Sequence, residues 1–410
     1  MVDVGMVIIG AGEAGARAAM ELRTQGWLGS ITLIGEEMYA PYERPPLSKQ
    51  SLIEAGEVPP VYIMDNEKMK QNNIDFICGM TVTNIDRDNQ SVELVDGMEI
   101  RYEKLLLTTG ARPRKLIMEG SDTSGVHYLR TQSDVRLLRE KLQPGRHIAI
   151  IGAGFIGLEV AASAISRGCS VTVIEVGPRI LMRGVPEEIA RIVEGRHREA
   201  GVAFKLGIGI QNIHSVKNEN AITLADGTVI TSDVIIAGIG ATPMTSLASS
   251  CGLVIENGIS VDETLATSDP HIFAAGDCCS IQHPLFGDKR IRLEAWRNAQ
   301  DQGTHAARSM MGQAEPYTSL PWFWSDQYEL TLQVTGLADL AVRTIHRDLK
   351  EAHLYFHLND EGRLVSVSGI GENAAIAKEI RIGEMLIEKQ AKPDPEALAD
   401  PSVKLKSLLR

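Results

Sequence analysis

The sequence predicts an α/β fold: two parallel-sheet units of one design, then a C-terminal α+β domain. Three observations carry this. A glycine turn of one spacing occurs twice, as Gly10-x-Gly12-x-x-Gly15 and Gly152-x-Gly154-x-x-Gly157. Each turn follows an apolar run of strand length, Met6-Val7-Ile8-Ile9 and then Ile148-Ala149-Ile150-Ile151, and each opens an alanine-rich helical pattern. From Pro321 the texture changes to aromatic and alternating residues.

The elements follow in order. The first unit reads strand, glycine turn, helix over Glu13–Gln25 and strand over Ile31–Ile34. A proline-rich loop spans Tyr39 to Leu52, and alternating segments within Thr81–Asp96 predict antiparallel strands. Lys104–Thr109 reads as a buried strand ending in Thr-Gly-Ala-Arg-Pro, at the carboxyl end of a sheet where ligands bind in open α/β folds. The second unit repeats this pattern: strand 148–151, helix about 155–167, strand Val171–Ile174, antiparallel segments within Gly207–Asp226, and a buried strand Val234–Ala237 ending in Gly-Ile-Gly-Ala-Thr-Pro. Each copy of this internal duplication is about 120 residues long, the scale of one domain. A short strand, Ile272–Ala275, leads into Gly276-Asp277, and a helical stretch runs through Met311. Strands near 330–346, 352–358 and 363–369 make up the last domain, with a loop over Pro393–Pro401. The first unit is interrupted by the second. The expected domains are therefore residues 1–114 with 241–318, residues 115–240, and residues 319–410.

Composition narrows the function classes. The 410 residues are 44% hydrophobic and 23% charged, as in an ordinary globular chain. A net charge of −12 disfavours nucleic acid or anionic membrane as the main partner. No apolar stretch reaches the ~20 residues of a membrane helix. Five irregularly spaced cysteines suit a reducing cytoplasm rather than a disulfide framework. No metal site is expected: His353 and His357 lie four apart in a strand-like stretch with no nearby cysteine or third ligand.

The glycine turns carry the chemistry. Such a turn lets a pyrophosphate approach backbone N–H groups at a helix N-terminus. Each turn here has its confirming context, including an acidic residue at the end of the next strand: Glu36, with Glu37 beside it, and Glu175. A carboxylate there accepts from ribose hydroxyls and repels a 2′-phosphate, so Glu175 favours NAD over NADP, with Arg179 and Arg183 nearby acting against that preference. The units are thus Rossmann-like dinucleotide-binding domains. An N-terminal fingerprint with a distant Gly-Asp closing segment suits FAD, and the inserted unit suits NADH.

The chain resembles the FAD-dependent pyridine nucleotide–disulfide oxidoreductase superfamily, and within it the ferredoxin, putidaredoxin and rubredoxin reductases that serve oxygenases. The marks are Pro41-Tyr42-x-Arg44-Pro45-Pro46-Leu47-Ser48-Lys49, Tyr128-Leu129-Arg130-Thr131, Ile156 to Ala162, Ala275-Gly276-Asp277-Cys278 and Pro321 to Tyr328. The resemblance implies a glutathione-reductase-type fold over essentially the whole chain. It assigns Gly10, Gly12, Ala14 and Gly15 to the FAD pyrophosphate and Glu36 to its ribose. Val82 would meet the adenine, and Arg44 and Arg130 would also bind FAD, Arg130 near the phosphates. Asp277 would bond the ribityl chain with Gly276 allowing close approach, Trp296 would lie against the isoalloxazine, and Lys49 would sit near flavin N5. For NADH it implies Gly152, Gly154, Ile156, Gly157, Glu175 and Gly240, with Glu159 near the nicotinamide. Lys49 and Glu159 are the implied catalytic pair. Trp322 and Trp324 suit either the core of the last domain or a partner surface.

Disulfide reductases of this superfamily need a Cys-x-x-x-x-Cys pair beside the flavin, and peroxide- and oxygen-reducing relatives use a single early cysteine. Here no cysteine precedes Cys78, so no thiolate relay is available. The expected line runs from NADH to FAD to a 2Fe–2S ferredoxin, docked transiently, in a cytoplasmic monomer or homodimer. Rubredoxin as acceptor, or an NADH oxidase-type flavoprotein, are the alternatives.

Overall fold

The apolar runs Gly5–Ile9 and His147–Ile151 become the middle strands of two parallel sheets in the computed structural model. It describes residues 4–56, 58–118, 125–182, 184–216, 219–287, 289–372 and 375–409. The chain divides into two units, one of Met1–Arg44, Pro59–Arg112 and Ala241–Ser319, the other of Pro45–Val58, Pro113–Gly240 and Leu320–Arg410.

In the first unit, parallel strands run in the order Asp75–Cys78, Ile31–Gly35, Gly5–Ile9, Glu99–Leu107 and Ile272–Ala274. Ser91–Leu94 extends the sheet antiparallel to Glu99–Leu107, and Val82–Asp86 lies beyond it, antiparallel to Ser91–Leu94. In the second unit the parallel order is Ala203–Leu206, Ser170–Glu175, His147–Ile151, Val234–Ala237 and Val126–His127. An antiparallel sheet of Ile210–Val216, Glu219–Leu224 and Val229–Ser232 accompanies it. The two units therefore repeat one strand order around their glycine turns. Equivalent bonds recur as well: Gly10 N–H donates to Ile34 O and Gly152 N–H to Ile174 O, both at 2.8 Å.

These middle strands are buried on both faces, which is why they read as continuous apolar runs rather than alternations. The helices after the turns, Glu13–Thr24 and Phe155–Ser166, owe their alanine to close packing. In the first unit a Cβ on Gly303 would meet Ala14 O at 2.2 Å, so the helices Glu13–Thr24 and Trp296–Met310 nearly touch backbones.

The last segment forms an antiparallel sheet in the order Trp322–Gln327, Leu330–Gly336, Leu364–Glu372, Ala352–Leu358 and Arg343–Asp348, with the helix Ala377–Glu388. Two expectations need correction. The loop expected over Pro393–Pro401 contains a helix, Pro395–Ala399, capped by the Asp394 side chain and held by Arg347, which donates to Leu398 O at 3.1 Å and Val403 O at 2.6 Å. The proline loop after Tyr39 is also not open chain: it contains a tight turn at Pro45–Ser48 and the short helix Gln50–Ile53.

The segment Pro45–Val58 clusters with the second unit. The helix Phe155–Ser166 and the residue after it explain why: Ser163 Oγ donates to Ser48 O at 2.6 Å and the Arg167 guanidinium to Leu52 O at 2.8 Å. Arg139 adds bonds to Ser51 O and Glu54 O.

Candidate active site and cofactor cradles

In the first unit the strand Gly5–Ile9 ends at Gly10, whose φ of +111° and tight surroundings exclude a side chain: a Cβ there would meet Thr108 O at 2.1 Å. Gly15 lets the helix lie on the strand end, since its Cβ would sit 2.0 Å from Gly10 O. Gly12 is different. It caps the helix without any side-chain bond, and a Cβ on it would meet no atom within 4 Å. The first-turn N–H groups thus face open space at the positive end of a helix, a fit for a phosphate. Ala14 is buried beside Gly276, which has φ +82° and donates its N–H to Gln302 Oε1 at 2.8 Å. Glu36 is exposed just past the strand Ile31–Gly35, Val82 is buried at the start of its strand, and Asp277 and Trp296 are half-buried. Arg44 pairs with Glu37 at 2.7 Å over the Tyr42 ring. Burial opposes its charge, and Tyr42, Glu37 and Asp277 more than offset that.

The second unit repeats the cradle. Gly152 has φ +101° with Gly238 O at 2.5 Å from its notional Cβ, Gly157 would meet Gly152 O at 2.2 Å, and Gly154 caps its helix with open space before it. Gly240, at φ +100°, also faces open space, and Ile156 is exposed on the first turn. Glu175 ends its strand with both carboxylate oxygens engaged: Oε2 accepts from Ala153 N–H at 2.8 Å and Oε1 from Gly177 N–H at 2.7 Å. It therefore holds the glycine turn, a role the sequence did not suggest. Arg179 donates to Ile180 O, Leu181 O and Val185 O, so its guanidinium is committed to its own loop. Arg183 lies outside the described residues.

Lys49 and Arg130, expected beside FAD, both lie in the second unit. Arg130 precedes the helix Gln132–Lys141, and its backbone N–H donates to Asp134 within the capping box. Lys49 meets Glu159: Nζ is 3.5 Å from Glu159 Oε1, 3.6 Å from Asp326 Oδ2, and lies over the Trp324 ring at 5.2 Å. Glu159 is buried, and two hydroxyls donate to it, Ser48 Oγ to Oε2 at 2.5 Å and Ser325 Oγ to Oε1 at 2.6 Å. Burial pushes its carboxyl up, against Lys49 and the two serines. Trp322 and Trp324 stack on each other at 5.3 Å, and Trp324 Nε1 donates to Asp326.

The serines were missed as site residues, although both stand inside motifs singled out above. Their one signal is position: Ser48 is adjacent to Lys49 and Ser325 adjacent to Asp326. The five cysteines are unpaired thiols. Burial raises those of Cys278 and Cys279, which disfavours the reactive thiolate. His357 is buried between Thr344 and Ser368 and pushed down to about 4, and no cluster of three or more metal-ligating side chains occurs among the described residues. No described helix is long and apolar enough to cross a membrane.

Residues 4–303 match the model of the pyridine nucleotide-disulphide oxidoreductase family, and residues 322–409 that of the reductase C-terminal domain. The chain is 38% identical over 407 residues to the ferredoxin–NAD(+) reductase component of the anthranilate 1,2-dioxygenase system of Burkholderia cepacia, covering 98% of each. It is 40% identical over 334 residues to a rubredoxin–NAD(+) reductase of Pseudomonas putida, covering 81% of this chain and 86% of that one. A crystal structure of a covalent putidaredoxin reductase–putidaredoxin complex matches with a TM-score of 0.92 and 35% identity, covering 100% of this chain and 99% of that one. With both cradles built and these matches spanning the chain, it belongs to the pyridine nucleotide-disulphide oxidoreductase family.

Proposed function

We propose that this chain takes electrons in pairs from NADH and delivers them one at a time to a 2Fe–2S ferredoxin of a multicomponent oxygenase. Its cofactors are FAD and NADH, and it is an oxidoreductase of the ferredoxin–NAD(+) reductase type. When bound, FAD supplies the hydride-accepting and single-electron chemistry. Residues 1–114 and 241–318 take FAD, residues 115–240 take NADH, and residues 319–410 form the reductase domain. The first-turn N–H groups after Gly12 and Gly154 orient the two pyrophosphates. Lys49 supplies a fixed positive charge for a centre that gains electrons, and Glu159 holds it in place. Ser48 and Ser325 keep the Glu159 carboxylate hydrogen-bonded although buried.

One observation carries this reading: two open glycine cradles and a buried Lys–Glu pair occur in a chain whose cysteines offer no thiol relay. Electrons leave by direct transfer to a protein acceptor. Ferredoxin is favoured by the anthranilate system relative and by the putidaredoxin complex, and rubredoxin is the second reading, favoured by the 40% identical relative. The unpaired thiols suit a reducing cytoplasm, and the working unit is a monomer or a homodimer. NADH-dependent cytochrome c reduction should rise at least about tenfold on adding a 2Fe–2S ferredoxin and fall with salt, as charge-steered electron-transfer encounters do. Rapid oxygen consumption without any protein acceptor would instead indicate an oxidase.

Cofactor choice has its own test. The parent should prefer NADH to NADPH in kcat/KM, with Glu175 repelling the 2′-phosphate and Arg179 held in its loop. Glu175→Ala should raise KM for NADH by about 10-fold, because a hydrogen bond to a charged group contributes about 1.5–3 kcal/mol. Equal kcat/KM for the two nucleotides in the parent would remove Glu175 as the discriminator.

A further inference from the structure

Four polar side chains behind Glu159 form one continuous hydrogen-bond chain within the second unit. Ser325 and Gln327 share a face of the strand Trp322–Gln327, two residues apart. Ser325 Oγ is 2.6 Å from Glu159 Oε1, and Gln327 Nε2 is 3.0 Å from Ser325 Oγ. Gln327 Oε1 is 2.7 Å from His197 Nε2, on the helix Glu187–Glu199, and His197 Nδ1 is 3.2 Å from the Tyr328 hydroxyl. His197 is 0% exposed, Ser325 1% and Gln327 4%, so water does not replace these partners.

The chain can run in only one direction. An ionised carboxylate accepts and never donates, so Ser325 donates to Glu159. Ser325 Oγ then accepts from the Gln327 amide nitrogen, which turns Gln327 Oε1 toward His197. His197 must carry its proton on Nε2, leaving Nδ1 to accept from Tyr328. Two further observations fit. Burial pushes the Tyr328 phenol up to about 12, so it keeps the proton it donates. Burial and the neighbouring Arg196 disfavour a charged imidazole at His197.

We propose that His197, Gln327 and Ser325 are positioning residues for Glu159. Neutral His197, protonated on Nε2, holds the Gln327 amide so that the Ser325 hydroxyl is left only the Glu159 carboxylate as its acceptor. Without His197 the amide turns over and draws the Ser325 proton to its own oxygen. Glu159 then loses one of the two hydroxyl donors that keep it ionised opposite Lys49. Among the described residues, few charged and titratable groups face this chain. Around Glu159 they are Lys49, from the Pro45–Val58 segment, and Asp326, which reaches it through Lys49. Around His197 they are Tyr328 and Arg196, the latter paired with Glu329 at 2.5 Å, with Phe204 edge-on as the apolar wall.

The inference rests on the proposed role of Glu159 as the partner of Lys49, but its test reads the oxidised holoenzyme without NADH or acceptor. It can therefore fail while ferredoxin reduction stands, and the reverse. With ¹⁵N-labelled histidine, NMR of the unsubstituted enzyme should show His197 neutral and protonated on Nε2; a proton on Nδ1, or on both nitrogens near neutral pH, overturns the proposal. Infrared titration of the buried carboxyl, with Glu159→Gln as blank, should place protonation about one pH unit higher in both Ser325→Ala and His197→Leu. The double variant should shift no further than Ser325→Ala alone. His197→Gln, which keeps an N–H donor, should titrate like the parent. No shift in Ser325→Ala, no shift in His197→Leu, or additive shifts in the double variant would each overturn it. Should His197→Leu fail to fold, the tautomer in the unsubstituted enzyme still decides.

Discussion

Replacing Lys49 with Met should destabilise the protein by about 3–5 kcal/mol near neutral pH, the range for breaking one partner out of a buried ion pair. NADH-driven flavin reduction should slow by about 100-fold, the scale of losing one preorganised charge at a reacting centre. The pair is well shielded, with side-chain exposures of 15% for Lys49 and 9% for Glu159. Among the groups holding the Glu159 carboxyl down, Lys49 is the largest, ahead of Ser325 and Ser48, and burial opposes all three. Removing Lys49 therefore drives Glu159 further up from 4.5, toward carrying a proton at neutral pH. The sign of the pH effect follows from linkage. The folded state then holds a proton that the unfolded state releases, so stability falls as pH rises from about 4.5 to the raised folded value. Lys49→Met should lie nearest the parent in acid and furthest from it in alkali. Adding Glu159→Gln should remove that pH dependence and recover most of the stability. Urea denaturation of the three proteins at about pH 5 and about pH 8 checks this. Unchanged hydride transfer together with an unchanged FAD potential would remove Lys49 from the reaction.

What could be read in the sequence depended on how local each determinant is. The glycine turns were legible because strand, turn and helix are contiguous, and the last glycine of each turn answers to the first: Gly15 to Gly10 O, Gly157 to Gly152 O. The helix Pro395–Ala399 was not read from the sequence, because its flanking prolines suggested a loop, although Asp394 before Pro395 is a cap followed by a first-turn proline. The serines on Glu159 were not legible from spacing. Ser48 and Ser325 lie 111 and 166 residues from it in sequence, and only the topology makes them neighbours. Glu175 shows a subtler gap. Its strand-end position marked it as an acceptor for ribose, yet nothing in the sequence says that Ala153 and Gly177 already donate to it. The Pro45–Val58 segment lies inside the expected 1–114 domain, and the bonds that Ser163 and Arg167 make to it come from 115 residues further along the chain, beyond the reach of any local pattern.

A single methyl group at each cradle should separate the two cofactors. Gly12 and Gly154 are the right positions because neither is structurally required. Their φ values of −91° and −82° suit any residue, and a Cβ on either would meet no protein atom within 4 Å. Alanine there should leave the fold intact and intrude only on a ligand. Gly10, Gly15, Gly152 and Gly157 cannot serve, since a Cβ at any of them would lie at or below 2.5 Å from a backbone oxygen. Displacing a pyrophosphate from two N–H groups removes two charge-assisted hydrogen bonds of about 1.5–3 kcal/mol each. That is about 100-fold or more in affinity. Gly12→Ala should therefore purify depleted of FAD and inactive with every acceptor, with unfolding by circular dichroism close to that of parent protein stripped of FAD. Gly154→Ala should retain FAD in full, raise KM for NADH by about 100-fold, and still pass electrons when reduced by dithionite. The asymmetry is the decisive result. FAD lost from Gly154→Ala and kept in Gly12→Ala would exchange the two assignments. FAD kept in both, with an unchanged KM for NADH, would mean that the open space before these helices holds no phosphate.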